Sequence, residues 1–312
     1  MPEVAYHPQA QTIIDMMNAG AASATPPGEQ PVEAVRAGYA GWWSLNGPGP
    51  EISEVRDVAI PSDAGAIAAR VYRPTENDDV PIIVFFHGGG MVIGSMNDYD
   101  GVCRLIAEAT DAVVVNVDYR LAPEHPYPAA SDDAWTAVQW VAANSAELGG
   151  NAQKLIVAGD SAGGNLAALV ALRARDAGVA IALQMLLYPV TDWAGTFESM
   201  ETNGTGNFLT KATMEWFRTT YFGDSPSSTW TEPAVSPYYA DVAGVCPAWV
   251  MTTSHDPLRD EGEAYADKLR QAGVPTTAIR VEGVFHAFFG QTNLLELAVQ
   301  ALSDFAAAVK AV

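Results

Sequence analysis

The sequence predicts an α/β fold built on a mostly parallel, buried sheet, and three observations carry that prediction. Short apolar runs alternate with helical patterns along most of the chain. The runs lack the alternation of a half-solvated sheet, as strands covered on both faces do. The chain has 312 residues, 49% of them hydrophobic and 17% charged, which is enough to bury a large core. Collagen-like, disordered and disulfide-scaffold classes are thereby excluded.

In chain order, two short helices are expected near 11–18 and 32–43, separated by an Ala-, Pro- and Gly-rich loop over 19–31. A second punctuated stretch, 46–50, closes this region. Residues 53–60 and 66–72 flank the turn 61–65 and read as a hairpin. Strand-like runs follow at 81–86, 112–117, 154–158, 182–188, 247–253 and 276–281. Helical patterns cover 98–109, 131–146, 162–175, 260–272 and 294–309. One connection breaks the rhythm. Between Tyr188 and Pro247 there is no strong strand but a Trp- and Phe-rich helical stretch over 210–222. An insertion of that length suits a lid or binding segment, a cap shared with the N-terminal helices.

Acidic residues outnumber basic ones 37 to 16, a formal net charge of −21. Nucleic acid and anionic membrane surfaces both need a basic footprint, so neither is expected as a partner. A neutral small molecule suits this charge better. Cys103 and Cys246 stand too far apart in sequence for a disulfide framework or a metal-ligand cluster, as expected of a reducing compartment. The N-terminal residues show no basic segment followed by an apolar one, and no apolar stretch reaches membrane-spanning length. A soluble, cytoplasmic protein is the expectation.

The sharpest motif is Gly159-Asp160-Ser161-Ala162-Gly163, set between the run 154–158 and the helical pattern 162–175. A serine on a tight strand-to-helix turn projects above the sheet as a nucleophile, and the helix N-terminus supplies positive potential beside it. The plainer reading is a helix N-cap serine in a Gly-rich βα turn; the strand and helix on either side of the motif favour the nucleophile over it. Asp160 is expected to hydrogen-bond around the turn. The amide of Ala162 is the expected donor to an oxyanion.

His87-Gly88-Gly89-Gly90 follows directly on the run 81–86. Three glycines in a row cost backbone entropy and need a reason. The amides of Gly88 and Gly89 are read as further oxyanion donors, and His87 as a loop anchor. A phosphate cradle would want a Lys and a helix directly after the glycines, and neither is present.

A serine nucleophile needs a base, and the base an orienting carboxylate. On such a turn they follow in the order Ser, Asp or Glu, His. Only His255 and His286 follow Ser161. His286 stands just after the last strand-like run, and Asp256 at the end of the run 247–253 is the expected acid. Asp260, Glu261 and Glu263 fall on the first turn of the next helix, where carboxylates are favoured by the dipole alone. Trp42, Trp43, Tyr188, Phe208, Trp216, Phe217 and Phe289 are candidates for an aromatic substrate pocket.

Together these motifs, with Asp118–Ala130 (DYRLAPEHPYPAA) and Tyr188–Asp192 (YPVTD), resemble the hormone-sensitive-lipase-like carboxylesterases, bacterial family IV of the α/β-hydrolase fold. Gly-Asp-Ser-Ala-Gly is similar to the Asp-containing subfamily. The resemblance implies an eight-stranded sheet with a helical cap, no cofactor, no metal, and hydrolysis of short- to medium-chain acyl esters. It also implies dimers, often through the last strand. Residues 1–50 would then be N-terminal cap helices and 51–312 the catalytic domain, with a cap insertion at about 190–245. Carried over by position, Ser161, His286 and Asp256 match the triad, and Gly88, Gly89 and Ala162 the oxyanion donors. Two departures stand out. His255 precedes the acid, and Phe285, Phe288 and Phe289 crowd the His286 loop, where they are expected to narrow the pocket. The triad serves amides as well as esters, and receptors on this fold lack the base, which is present here.

Overall fold

The computed structural model describes residues 4–21 and 25–312. Residues 22–24 of the predicted 19–31 loop, and residues 1–3 before the first helix, lie outside these. The chain opens with α1 (Pro8–Ala21) and α2 (Val32–Ser44), followed by the hairpin β1 (Glu54–Ile60) and β2 (Ile67–Arg73). Then come β3 (Ile82–Phe86), α3 (Asp100–Thr110), β4 (Val113–Asp118), α4 (Ala129–Leu148), β5 (Leu155–Asp160), α5 (Ala162–Ala177) and β6 (Leu183–Leu187). After an insertion carrying α6 (Ser199–Thr202) and α7 (Lys211–Phe222) come β7 (Ala248–His255), α8 (Arg259–Gln271), β8 (Thr276–Phe285) and α9 (Glu296–Lys310).

All eight strand-like runs pair into one sheet of order β1-β2-β4-β3-β5-β6-β7-β8. Only β2 runs against its neighbours. The remaining contacts between strands are parallel. Side-chain alternation divides the core into two layers. Ile82, Val84 and Phe86 of β3 enter the layer under α4, α5 and α8. Ile83 and Phe85 enter the layer under α3, α9 and α1. Both faces are covered, which is why the strands read as unbroken apolar runs.

Several boundaries shift by a few residues from expectation, and two of the shifts have a clear cause. Helix α1 runs on through Ala19 to Ala21, alanines that favour helix despite the Gly and Pro around them. Strand β8 continues four residues past the predicted Val281, re-pairing with β7 beyond an irregularity between Thr253 and His255.

The strand order creates one crevice. The chain leaves β3 toward β4 on one side and leaves β5 toward β6 on the other. Exit loops that part in opposite directions open a gap above the strand ends, where ligands bind in open α/β sheets. The His87–Gly90 loop leaves β3 and Ser161 leaves β5, so both arrive at that gap.

Helix α2 is pinned beside the gap by Arg36. Its guanidinium takes Glu124 in a two-pronged grip, both contacts 2.7 Å. It also donates to the carbonyls of Val92 and Ala122, each at 3.0 Å. On the other side Tyr6 hydrogen-bonds Asn207, and Asn18 donates to the carbonyl of Gly206 at 3.2 Å. The N-terminal segment therefore reaches the sheet loops through α2 and the β6–β7 insertion through α1.

Candidate active site

Ser161 stands between β5 and α5 with φ 55° and ψ −119°, a strained backbone for any residue with a side chain. Its neighbours hold it there. The Ser161 amide donates to the carbonyl of Leu187 at 2.9 Å, and its carbonyl accepts from the amides of Val190 and Asn165. A Cβ on Gly163 would overlap the carbonyl oxygen of Phe86 at the end of β3, so only glycine lets α5 approach this closely. Helix α5 thus begins directly under the serine, and its first amide, that of Ala162, is one of the orphan donors of a helix start.

His286 follows β8 and brings its Nε2 to 2.9 Å from Ser161 Oγ. Its Nδ1 lies 2.7 Å from Asp256 Oδ2. Asp256 is fully buried just beyond β7. Its Oδ1 accepts from the amide of Leu258 at 2.8 Å, which fixes the carboxylate plane. The three residues come from three different strand ends, and the sheet alone brings them together. Asp260 instead caps the insertion by accepting from the Ser199 amide at 2.9 Å. Glu261 is buried and holds the amides of Thr191 and Asp192 at 2.7 and 3.1 Å. Burial pushes its carboxyl well above the usual range. Glu263 pairs with Arg280 at 2.6 Å. His255 stacks on Tyr6, with ring centroids 3.7 Å apart.

The glycine loop corrects one expectation. The amide of Gly88 is already committed, donating to Asp160 Oδ1 at 2.8 Å and toward the Tyr99 hydroxyl at 3.1 Å. An amide held by a buried carboxylate is not available to a developing oxyanion. The amides of Gly89, Gly90 and Ala162 have no acceptor among the described residues. Gly89 has φ +115° and a Cβ there would overlap the carbonyl of Ile93, so this turn requires glycine. His87 anchors the loop as expected. Its ring stacks on Tyr119 at 4.3 Å, and the Tyr119 hydroxyl donates to the His87 carbonyl at 2.6 Å. Burial pulls its pKa down, keeping it neutral. Burial also pushes the Asp160 carboxyl up to about 6, against the opposing pull of the Tyr99 hydroxyl, the nearby His286 and the Gly88 amide.

A cavity of about 610 Å³ opens onto Ser161, His286 and Gly89. Of the seven aromatic candidates, Trp42, Phe208 and Phe217 line it. The other four do not. Trp43 points into the core against Tyr99, centroids 4.4 Å apart, and Phe289 packs on Phe305 at 5.5 Å. Trp216 lies beside Phe217 off the cavity wall. Tyr188 sits beneath the site and presents its ring edge-on to His286 at 4.8 Å, backing the imidazole instead of touching the space above it. Phe285 and Phe288 are likewise core residues and do not narrow the cavity. The sequence reading missed one face of α2, where Ala34, Gly38 and Gly41, with Leu45 just past the helix, form part of the wall. Small residues at helical spacing were the available signal. Neither Gly38 nor Gly41 would bring a Cβ within 4 Å of anything.

The geometry has close counterparts. The sequence model described as alpha/beta hydrolase fold matches residues 83–290. A carboxylic ester hydrolase of Mycobacterium tuberculosis, LipN, is 43% identical over 258 residues, covering 80% of this chain and 68% of its own. The carboxylesterase NlhH of the same species is 40% identical, with 78% of each chain covered. A hyperthermophilic esterase from the archaeon Pyrobaculum calidifontis superposes with a TM-score of 0.93 at 40% identity, over 98% of both chains. The chain belongs to the α/β-hydrolase-fold family and is a carboxylic ester hydrolase.

Proposed function

We propose that this protein is a serine carboxylesterase of the hormone-sensitive-lipase-like group, Gly-Asp-Ser-Ala-Gly subfamily, acting on short- to medium-chain acyl esters. One observation carries the reading: an unbroken hydrogen-bonded chain from Asp256 through His286 to Ser161 at the floor of a largely apolar cavity. Ser161 Oγ attacks the ester carbonyl as its proton passes to His286 Nε2. Asp256 holds the imidazole tautomer and stabilises the cation that forms. The oxyanion is received by the amides of Gly89, Gly90 and Ala162, a set in which Gly90 takes the place of Gly88. A single such donor is worth about 2.7–4 kcal/mol in the transition state. His286 then protonates the departing alcohol, and a water activated by the same base releases the acid from Ser161.

We read the N-terminal region 1–50, through its described helices α1 and α2, and the insertion at about 190–245 as the cap over this chemistry. The net charge of −21 favours neutral esters. Free Cys103 and Cys246 suit a reducing cytoplasm. No helix among the described residues is long and apolar enough to cross a membrane. A homodimer through the outer edge of β8 follows from the family resemblance, and sedimentation velocity tests it.

The deciding experiment is hydrolysis of p-nitrophenyl esters from acetate to dodecanoate by the wild type beside Ser161→Ala. A short- or medium-chain optimum that vanishes in the variant is the expected result. Turnover retained in the variant, or absent from the wild type on every ester, overturns the reading. A companion prediction concerns the α2 wall. Gly38→Leu fills open space beside the cavity, so octanoate and dodecanoate should lose roughly tenfold or more in kcat/KM while acetate is spared. The helix itself should gain about 1 kcal/mol from losing an interior glycine. An unchanged chain-length profile would place the acyl group elsewhere.

A further inference from the structure

Three side chains, Tyr39 half-buried and Tyr99 and Asp160 buried, connect the wall of the cavity to the glycine loop. Tyr39 projects from α2, lines the cavity, and sets its hydroxyl 2.8 Å from that of Tyr99. Tyr99, immediately before α3, donates to Asp160 Oδ2 at 2.9 Å. Asp160 Oδ1 accepts from the Gly88 amide at 2.8 Å, and the Tyr99 oxygen faces the same amide at 3.1 Å. The direction of the chain is forced. A phenol has one proton to give, and Tyr99 gives its own to the carboxylate. Tyr39 must therefore donate to Tyr99.

The loop has reason to need such a brace. Gly88, Gly89 and Gly90 carry no side chains that could pin them, and the last two have positive φ. His87 is fixed from one side by Tyr119. The Gly89 carbonyl accepts from the amides of Val92 and Ile93, but of the three glycine amides only that of Gly88 has an acceptor among the described residues, and the residues that hold it lead back to the cap. Charge-assisted bonds in a buried network are stronger and more strongly coupled than exposed ones.

We infer that Tyr39 is a positioning residue for the oxyanion loop: through Tyr99 and Asp160 it fixes the peptide at Gly88, and so aims the amides of Gly89 and Gly90. This rests on the serine-esterase reading and deepens it. Because Tyr39 also lines the cavity, the cap helix that meets the substrate helps set stabilisation of the transition state as well as binding.

Tyr39→Phe keeps the ring and removes only the hydroxyl. The kcat on p-nitrophenyl butyrate should fall about fivefold, the scale of one buried hydrogen bond, with KM within about twofold. An alkyl boronic acid, whose adduct with Ser161 places a negative oxygen at the amides, should lose affinity by the same factor. In a Tyr99→Phe background the Tyr39 change should have no further effect, because the chain is already cut. If circular dichroism shows that Tyr99→Phe does not fold, Asp160→Asn provides the second background. If neither folds, the kcat and boronate changes in the single variant decide. A kcat equal to wild type, a change confined to KM, or losses that multiply in the double variant overturn the inference. Ser161→Ala run in parallel separates the two readings. Activity surviving there sinks the esterase mechanism, whereas full loss there with normal Tyr39→Phe kinetics sinks only the brace.

Discussion

His286→Ala is expected to lower kcat on p-nitrophenyl butyrate by on the order of 10⁶, about as much as removing Ser161 itself. The two act as a unit. Among the described residues the serine hydroxyl is hydrogen-bonded to one base, Nε2 of His286 at 2.9 Å. Asp256→Asn should cost less, about 10⁴, because the imidazole stays in place but in the wrong tautomer. An asparagine amide can donate to Nδ1, which makes Nδ1 the acceptor and places the ring proton on Nε2, so the nitrogen facing Ser161 can no longer take its proton. The Leu258 amide, now bonded to Oδ1 at 2.8 Å, would still hold the residue's plane. The comparison is made with purified variants and confirmed folding. Activity within tenfold of wild type in His286→Ala would show that another group takes the proton.

Gly163→Ala should damage the fold more than any other single methyl near the site. The added Cβ would overlap the Phe86 carbonyl oxygen and crowd that of His87, so the whole of α5 must retreat from β3. Strain of this kind between backbones costs about 3 kcal/mol or more. Against a total stability of about 5–15 kcal/mol, that lowers the melting temperature by roughly 5–10 °C. Gly178→Ala is the matched control. Gly178 caps the other end of α5 with φ +71° and nothing within 4 Å, so its loss costs only the conformational penalty of about 1 kcal/mol. Calorimetry on both variants separates crowding from backbone preference, and equal melting temperatures would refute the packing argument.

Much of this architecture was legible in the sequence because burial on both faces leaves strands as plain apolar runs. The site was legible where chain order and element placement coincide. Ser161 opens a helix, Asp256 directly follows a strand, and His286 follows the last one. Gly88 was misread because an amide's availability depends on what it meets. Its acceptor, Asp160, is 72 residues away along the chain. The adjacent Trp42 and Trp43 look alike in composition, yet one faces the cavity and the other Tyr99. Ala34, Gly38 and Gly41 mark one face of α2 by their spacing, but what that face covers is decided by packing of α2 on the loops beneath it. Tyr39 went unremarked for the same reason, since its partners Tyr99 and Asp160 become neighbours only when the sheet forms.

The seat of α2 has an engineering consequence. Two of the groups that grip Arg36 are main-chain carbonyls, those of Val92 and Ala122. A carbonyl survives any side-chain replacement, so this socket tolerates sequence drift at both positions, and Glu124 is the one side chain it asks for. A foreign helix bearing an arginine at the same place can dock there and bring a different wall with it. Acyl preference in this scaffold is in that sense a graftable module, exchangeable across residues 32–44 while the reacting groups stay where the sheet has put them.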